Sequence, residues 1–248
     1  MSRNTKIEWT EKVWNPSKGC SKISAGCKFC YAEMFAKRLQ AMGVKEYKDG
    51  FKFKILPHRL EEPLKIKKPT KFFVNSMSDL FHEEMPFEYL DKIFEIINQT
   101  QHHIYQILTK RADRMYEYFL SRDVPKNVWL GVSVENAFYK SRIDYLRKVN
   151  ASIRFISFEP LIGPVGELNL SGIHWVIVGG ESGKKARPMK KEWVEEIFSI
   201  CKDQNVAFFF KQWGTWGEDG IKRSKKENGR KFKGKEWNEF PQINILYE

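Results

Sequence analysis

Three thiols fall within eleven residues of one another in the run Gly19-Cys20-Ser21-Lys22-Ile23-Ser24-Ala25-Gly26-Cys27-Lys28-Phe29-Cys30-Tyr31. The spacing is Cys-x6-Cys-x2-Cys, and the fourth cysteine, Cys201, stands far down the chain. Soft thiolates this dense suit zinc or an iron–sulfur cluster. Structural zinc usually takes four protein ligands, and the nearest histidine, His58, is nearly thirty residues downstream of Cys30. Three cysteines on a cubane of four irons leave one iron without a protein ligand, where an external ligand can bind. The competing reading is a zinc-stabilised loop completed from a distance by Cys201 or a histidine, although Cys201 itself reads as a buried apolar thiol.

A second concentration of chemistry lies at regular intervals further on. The segments are Asn75-Ser76-Met77-Ser78-Asp79, Thr109-Lys110-Arg111, Ser133-Val134-Glu135-Asn136, Glu159-Pro160, Gly179-Gly180-Glu181-Ser182-Gly183 and Lys211-Gln212-Trp213-Gly214. Each follows a short run rich in β-branched and aromatic residues: 71–75, 103–108, 127–132, 152–157, 174–178 and 206–211. These read as strands buried on both faces. Amphipathic stretches at 87–98, 113–120, 136–148 and 190–203 read as helices, and 31–42 as a helix that begins directly after the cysteines. Strands alternating with helices predict an α/β fold with a parallel sheet and outer helices. With a further strand near 11–15, a partial or full (β/α) barrel fits the length, and an open doubly wound sheet is the alternative. In both, ligands bind at the carboxyl ends of the strands, where the polar segments fall.

The 248 residues suit one large domain, expected to span 1–218, with the cluster loop at 19–31 and a basic tail or flap at 219–248. Hydrophobic residues make up 42% and aromatics 15%, which excludes global disorder. No apolar run approaches the ~18–20 residues that cross a bilayer, and the start is no signal peptide, so a cytoplasmic protein is expected. The net charge of +12 favours a polyanionic partner, most simply nucleic acid. Residues 222–235 hold eight basic residues and one acidic one, with Phe232 and Trp237 at hand to stack on bases. His82 lies near the early polar loop, and a lone histidine there reads first as a bystander.

The cysteine loop resembles that of the radical S-adenosylmethionine (SAM) superfamily, whose usual pattern is Cys-x3-Cys-x-aromatic-Cys. Cys27-Lys28-Phe29-Cys30 reproduces the second half, while the first interval has six residues where three are usual. The phrases NSMSDLFHE, QILTKR, NVWLGVSVEN, SFEPL, VIVGGESG and FFFKQWG resemble those of a phage-associated three-cysteine family, in order from Asn75 to Gly214. The resemblance implies a [4Fe–4S] cluster on Cys20, Cys27 and Cys30, with SAM on the open iron. It implies Ser76, Ser78 and Asp79 as residues for the SAM ammonium, and Ser133 and Glu135 for the ribose hydroxyls. Lys110, Glu159 and Glu181 complete the expected cofactor-binding set, and no catalytic residue is named. A looser resemblance to the spore photoproduct lyases of that superfamily implies repair or modification of a nucleic-acid base, DNA more than RNA. An electron-donor protein is then a required partner, and a separate partner protein a further expectation. A small-molecule or peptide substrate and a non-enzymatic nucleic-acid-binding protein with structural zinc are the alternatives.

Overall fold

Seven short apolar runs pair side by side in chain order in a computed structural model that describes residue 5 and residues 7–242. They are β1 (Lys12–Trp14), β2 (Lys71–Val74), β3 (Ile104–Thr109), β4 (Val128–Ser133), β5 (Ile153–Phe158), β6 (Trp175–Gly179) and β7 (Ala207–Gln212). All six pairings are parallel. Helices α1 (Tyr31–Ala41), α2 (Phe87–Gln99), α3 (Ala112–Phe119), α4 (Ser141–Lys148) and α5 (Lys191–Asp203) lie in the connections. Because strand order follows chain order, right-handed crossovers carry every connection to the same face. A doubly wound sheet needs a reversal of strand order, and there is none. The result is a half barrel of the (β/α) type, with β1 and β7 as its outermost strands and residues 237–239 bonded along the far side of β7.

The alternation of side chains along the strands divides the core in two. Phe72, Val74, Tyr105, Ile107, Leu130, Ile156, Val176 and Phe208 face outward into the layer beneath the helices. Phe73, Trp129, Phe155, Trp175, Ile177 and Phe209 face inward, and Trp9 closes the lower end against Phe73, with ring centroids 4.7 Å apart. The interior is therefore packed with side chains, which leaves its upper rim for ligands.

Two expectations are corrected. The helix expected from 136 begins at Ser141, because the Asn136 side chain accepts the Phe138 N–H at 3.0 Å and closes a separate turn at Ala137–Tyr139. Of the two aromatics expected to stack on bases, Phe232 is buried and Trp237 is half-buried. A hairpin of Lys231–Phe232 with Lys235–Glu236 buries Phe232 against Phe210 and Trp213, and Trp237 packs edge-on to Phe198 at 4.5 Å. Full burial of one such ring contributes about 2 kcal/mol, which holds this segment to the outer face of the sheet. The last six residues of the expected 219–248 unit lie outside the described residues. Among the described residues no helix is long and apolar enough to cross a membrane.

Candidate functional site

The cysteine loop is fastened to the strand ends at both of its own ends. After β2 the backbone of Asn75 turns into the left-handed region at φ 61°, which asparagine tolerates. Its side chain donates to the Ser17 hydroxyl at 2.9 Å. That turn presents Met77, whose carbonyl accepts the Gly19 N–H at 2.9 Å, and Ser78, whose hydroxyl donates to the Gly19 carbonyl at 2.7 Å. Gly19 has φ +74°, and a Cβ there would sit 2.2 Å from the Lys52 carbonyl oxygen, so only glycine fits. At the far end, the Ala25 N–H donates to the Tyr139 hydroxyl at 2.8 Å, and the Ser24 hydroxyl donates to Glu135. Gly26 lies against the same carboxylate: a Cβ would come within 2.5 Å of Glu135 Oε1.

Beneath Cys20 sits a buried guanidinium. Arg111 donates from Nε to Glu83 at 2.8 Å, from Nη1 to Asp79 at 3.3 Å and to Cys20 Sγ at 3.5 Å, and from Nη2 to the Ser21 hydroxyl at 2.6 Å. Burial, with the Asp79 charge beside it, pushes the Cys20 thiol up to about 11 against the opposing pull of Arg111. Burial also acts to raise Glu83, but hydrogen bonds from Ser21 and Arg111 overcome it and hold that carboxyl at about 2. His82 is buried, stacks on Phe53 with centroids 4.2 Å apart and accepts the Ser21 N–H at 3.1 Å; burial and then Arg111 lower its pKa. It is a brace of the cysteine loop.

The expected cofactor residues divide into those closed by bonds within and between the loops and those on the inner wall at the rim. Asp79 accepts from Thr109 at 2.6 Å, from the Phe81 and Lys110 N–H groups at 3.0 Å each, and from Arg111. Glu135 is fully buried and paired with Arg142 at 2.8 Å. Glu181 takes two hydrogen bonds from the Arg187 guanidinium, at 2.6 and 3.0 Å, and a third from its N–H. Ser76 donates to Asn15 at 3.2 Å, and Ser78 is engaged with Gly19. The remaining groups stand on the inner wall at the rim. They are Ser133, Lys110, whose ammonium is 4.0 Å from Glu135, and Glu159, which pairs with Lys211 at 2.8 Å and accepts from Ser157 at 3.0 Å.

Arg142, Tyr139, Ser24, Glu83 and Arg187 do not stand out in the sequence, because each reaches its partner from a helix or loop whose approach only the fold sets. Ser157 was readable, since it is the inward residue two places before Glu159 on β5.

Among the described residues, no three Cys, His, Asp or Glu side chains gather closely enough to share one metal ion. A four-iron cubane takes its three thiolates on separate irons, and the three thiols of one loop match that demand in type and number. Cys201, the candidate fourth ligand for zinc, lies buried on α5 in the outer layer, where burial pushes its thiol up to about 12.

A family model described as "Protein of unknown function (DUF5131)" matches residues 4–241. No curated protein matches the sequence. Several solved structures of spore photoproduct lyase are similar. One variant of that lyase gives a TM-score of 0.49 at 15% identity, covering 74% of this chain and 60% of the lyase. The lyase complexed with dinucleoside spore photoproduct gives 0.49 at 13% identity, covering 80% and 63%. A variant with bound AdoMet and the same dinucleoside gives 0.46 at 13% identity, covering 72% and 58%. The chain thus spans less than two thirds of the length of the lyases it matches.

Proposed function

The chain belongs to the DUF5131 family of proteins of unknown function, and from that premise we propose that it is a radical SAM enzyme acting on a nucleic-acid base. One observation carries the reading. A loop with three thiols is anchored over the rim of a parallel half barrel, by Arg111 under Cys20 and by Glu135 against Gly26. Cys20, Cys27 and Cys30 would hold the cluster. When bound, a [4Fe–4S] cluster with SAM on its open iron supplies one-electron cleavage to methionine and a 5′-deoxyadenosyl radical, which takes hydrogen from the substrate.

The chain's own residues bind and orient. Ser133 offers a hydroxyl of the kind that holds ribose, Lys110 a cation for a carboxylate, and Glu159 an acceptor for an ammonium, with Lys211 and Ser157 fixing its carboxylate. Asp79, Glu135 and Glu181 act through the arginines they bind, so their part in this reading is to position the loops that carry Ser76, Ser78 and the thiols. Phe155, Ile177 and Phe209 form an apolar floor that keeps water from the base of the site. The net charge of +12 supports a nucleic-acid substrate, the looser lyase resemblance puts DNA before RNA, the phrase resemblance supports a phage-associated setting, and the radical SAM reading itself calls for a protein electron donor.

The test is anaerobic reconstitution with iron and sulfide, reduction, addition of SAM and assay of 5′-deoxyadenosine. Product is expected, and Cys20→Ala, Cys27→Ala and Cys30→Ala should each abolish it. Protein that retains zinc, takes up no iron and shows no visible absorption would overturn the reading in favour of a structural-metal protein. A loaded enzyme that makes product but binds no oligonucleotide would move the substrate to a small molecule or peptide.

A further inference from the structure

A sulfur ligand of a cluster accepts hydrogen bonds, and each one it accepts stabilises the reduced, more negative state. Two thiols of the loop differ in what faces them. Cys20 Sγ has a committed donor, Arg111 Nη1 at 3.5 Å. Cys27 Sγ has one polar side-chain neighbour within hydrogen-bond reach among the described residues, the Ser24 hydroxyl at 3.4 Å. In the free loop either of these two groups can donate, whereas a ligated thiolate can only accept. Whether Cys27 then receives a hydrogen bond depends on where the single proton of Ser24 goes.

That proton has a stronger claimant. Ser24 also lies against Glu135 Oε1, the nearer of its two acceptors, and Glu135 is 0% exposed. The Arg142 guanidinium bonds the other carboxylate oxygen, Oε2, at 2.8 Å, and the Lys110 ammonium stands 4.0 Å from Oε1, beyond hydrogen-bond reach. Among the described residues Ser24 is therefore the one hydrogen-bond donor to Oε1, and giving it up would leave a buried carboxylate oxygen unpaired. The surroundings fix this arrangement. Arg142 also donates to the Ser133 carbonyl at 2.7 Å and lies over the Tyr139 ring at 4.5 Å, and Tyr139 in turn accepts the Ala25 N–H at 2.8 Å. The Cys27 N–H donates to the Ser24 carbonyl at 3.0 Å, which closes the turn around the carboxylate.

We propose that Glu135 is a positioning residue for the cluster: by holding the Ser24 proton it withholds a hydrogen bond from Cys27 and keeps the reduction potential low. The inference rests on the cluster reading above. A sulfonium takes an electron only from a strongly reducing centre, so a donor withheld at Cys27 offsets the one that Arg111 supplies at Cys20. A ribose hydroxyl would have to displace Ser24 or Arg142 to reach the same carboxylate.

The test uses the full chain with its cluster loaded. In Glu135→Gln the amide carbonyl still accepts from Arg142 and the amide N–H donates to the Ser24 oxygen, which frees the Ser24 O–H for Cys27. Potentiometric titration followed by EPR should find the potential raised by about 59 mV, a tenfold shift in a one-electron equilibrium. Loss of the charge alone contributes to that rise, so the same exchange is made in a Ser24→Ala background, where the rise should shrink to about half. An equal rise in both backgrounds overturns the proposal, as does an unchanged potential in loaded Glu135→Gln. Ser24→Ala by itself leaves the buried ion pair intact and serves if Glu135→Gln does not load. Its reduced cluster, exchanged into deuterium oxide and read by ENDOR, should show the exchangeable couplings of the wild type. A coupling lost in Ser24→Ala would mean that the hydroxyl already donates to Cys27, and would overturn the proposal. Absence of cluster absorption in reconstituted wild type would remove the cluster reading, and this proposal with it.

Discussion

Arg111 is a cation held at 6% exposure between two carboxylates and a thiol. A hydrogen bond and a positive charge at a cluster sulfur favour the reduced, more negative state, which raises the reduction potential. Replacing Arg111 by Met should therefore lower the potential of the loaded protein, and Arg111→Lys should fall between the two. A potentiometric titration followed by EPR measures this, and it separates tuning from mere support of the loop, which would change loading but not potential. Stability falls too. Removing one partner of a buried ion pair costs on the order of 3–5 kcal/mol. Asp79 keeps its bonds from Thr109, Phe81 and Lys110, so the loss belongs at the low end of that range. Arg111→Lys retains the charge and serves as the folded comparison. An unchanged potential in a loaded Arg111→Met protein would leave Arg111 a structural residue only.

The elements were more legible than the contacts between them. All seven strands fall within two residues of their sequence patterns, because runs such as those in β4 and β7 are buried on both faces and bounded by polar turns. The two-residue period then puts Ser133, Ser157 and Lys211 on the inner wall without further information. What the pattern could not supply was pairing. Asp79, Glu135 and Glu181 read as open carboxylates, yet each closes on an arginine, Arg111, Arg142 or Arg187, brought in by a following strand, helix or loop. The docking of the cysteine loop on β4 gives a prediction at this scale. Glu135 is fixed by Arg142 and Ser24, so it cannot retreat from a methyl at position 26. Gly26→Ala should cost about 1–3 kcal/mol, as overpacking does, and should lower the iron bound per chain. Thermal unfolding and iron analysis check it; a variant as stable and as well loaded as wild type would mean the loop is not seated on Glu135.

Over the whole molecule the positive charge is unevenly spent. In the C-terminal segment Arg223 pairs with Asp219 at 2.7 Å, Lys225 with Glu8 at 3.3 Å and Arg230 with Glu236 at 3.6 Å, which reduces the charge that segment can offer a phosphate backbone. The loop after β6 is different. Lys184 and Lys185 are exposed, and Arg187 lies over the Phe29 ring at 5.4 Å, which ties this loop to the cysteine loop and hence to the rim. Lys222 donates to the Lys184 carbonyl at 2.7 Å, so the nearest part of the C-terminal segment joins the same face. If nucleic acid reaches the site, its phosphates should meet this loop first. Affinity for a labelled single-stranded oligonucleotide, measured by anisotropy, should fall linearly on a log–log plot against salt. Each phosphate contact contributes a slope of about −0.7. Lys184→Gln/Lys185→Gln should then shrink the slope by about 1.4, two contacts' worth, while Lys225→Gln/Arg230→Gln should change it less. The reverse order would place the nucleic acid on the C-terminal segment, away from the thiols, and would separate binding from the chemistry proposed at the rim.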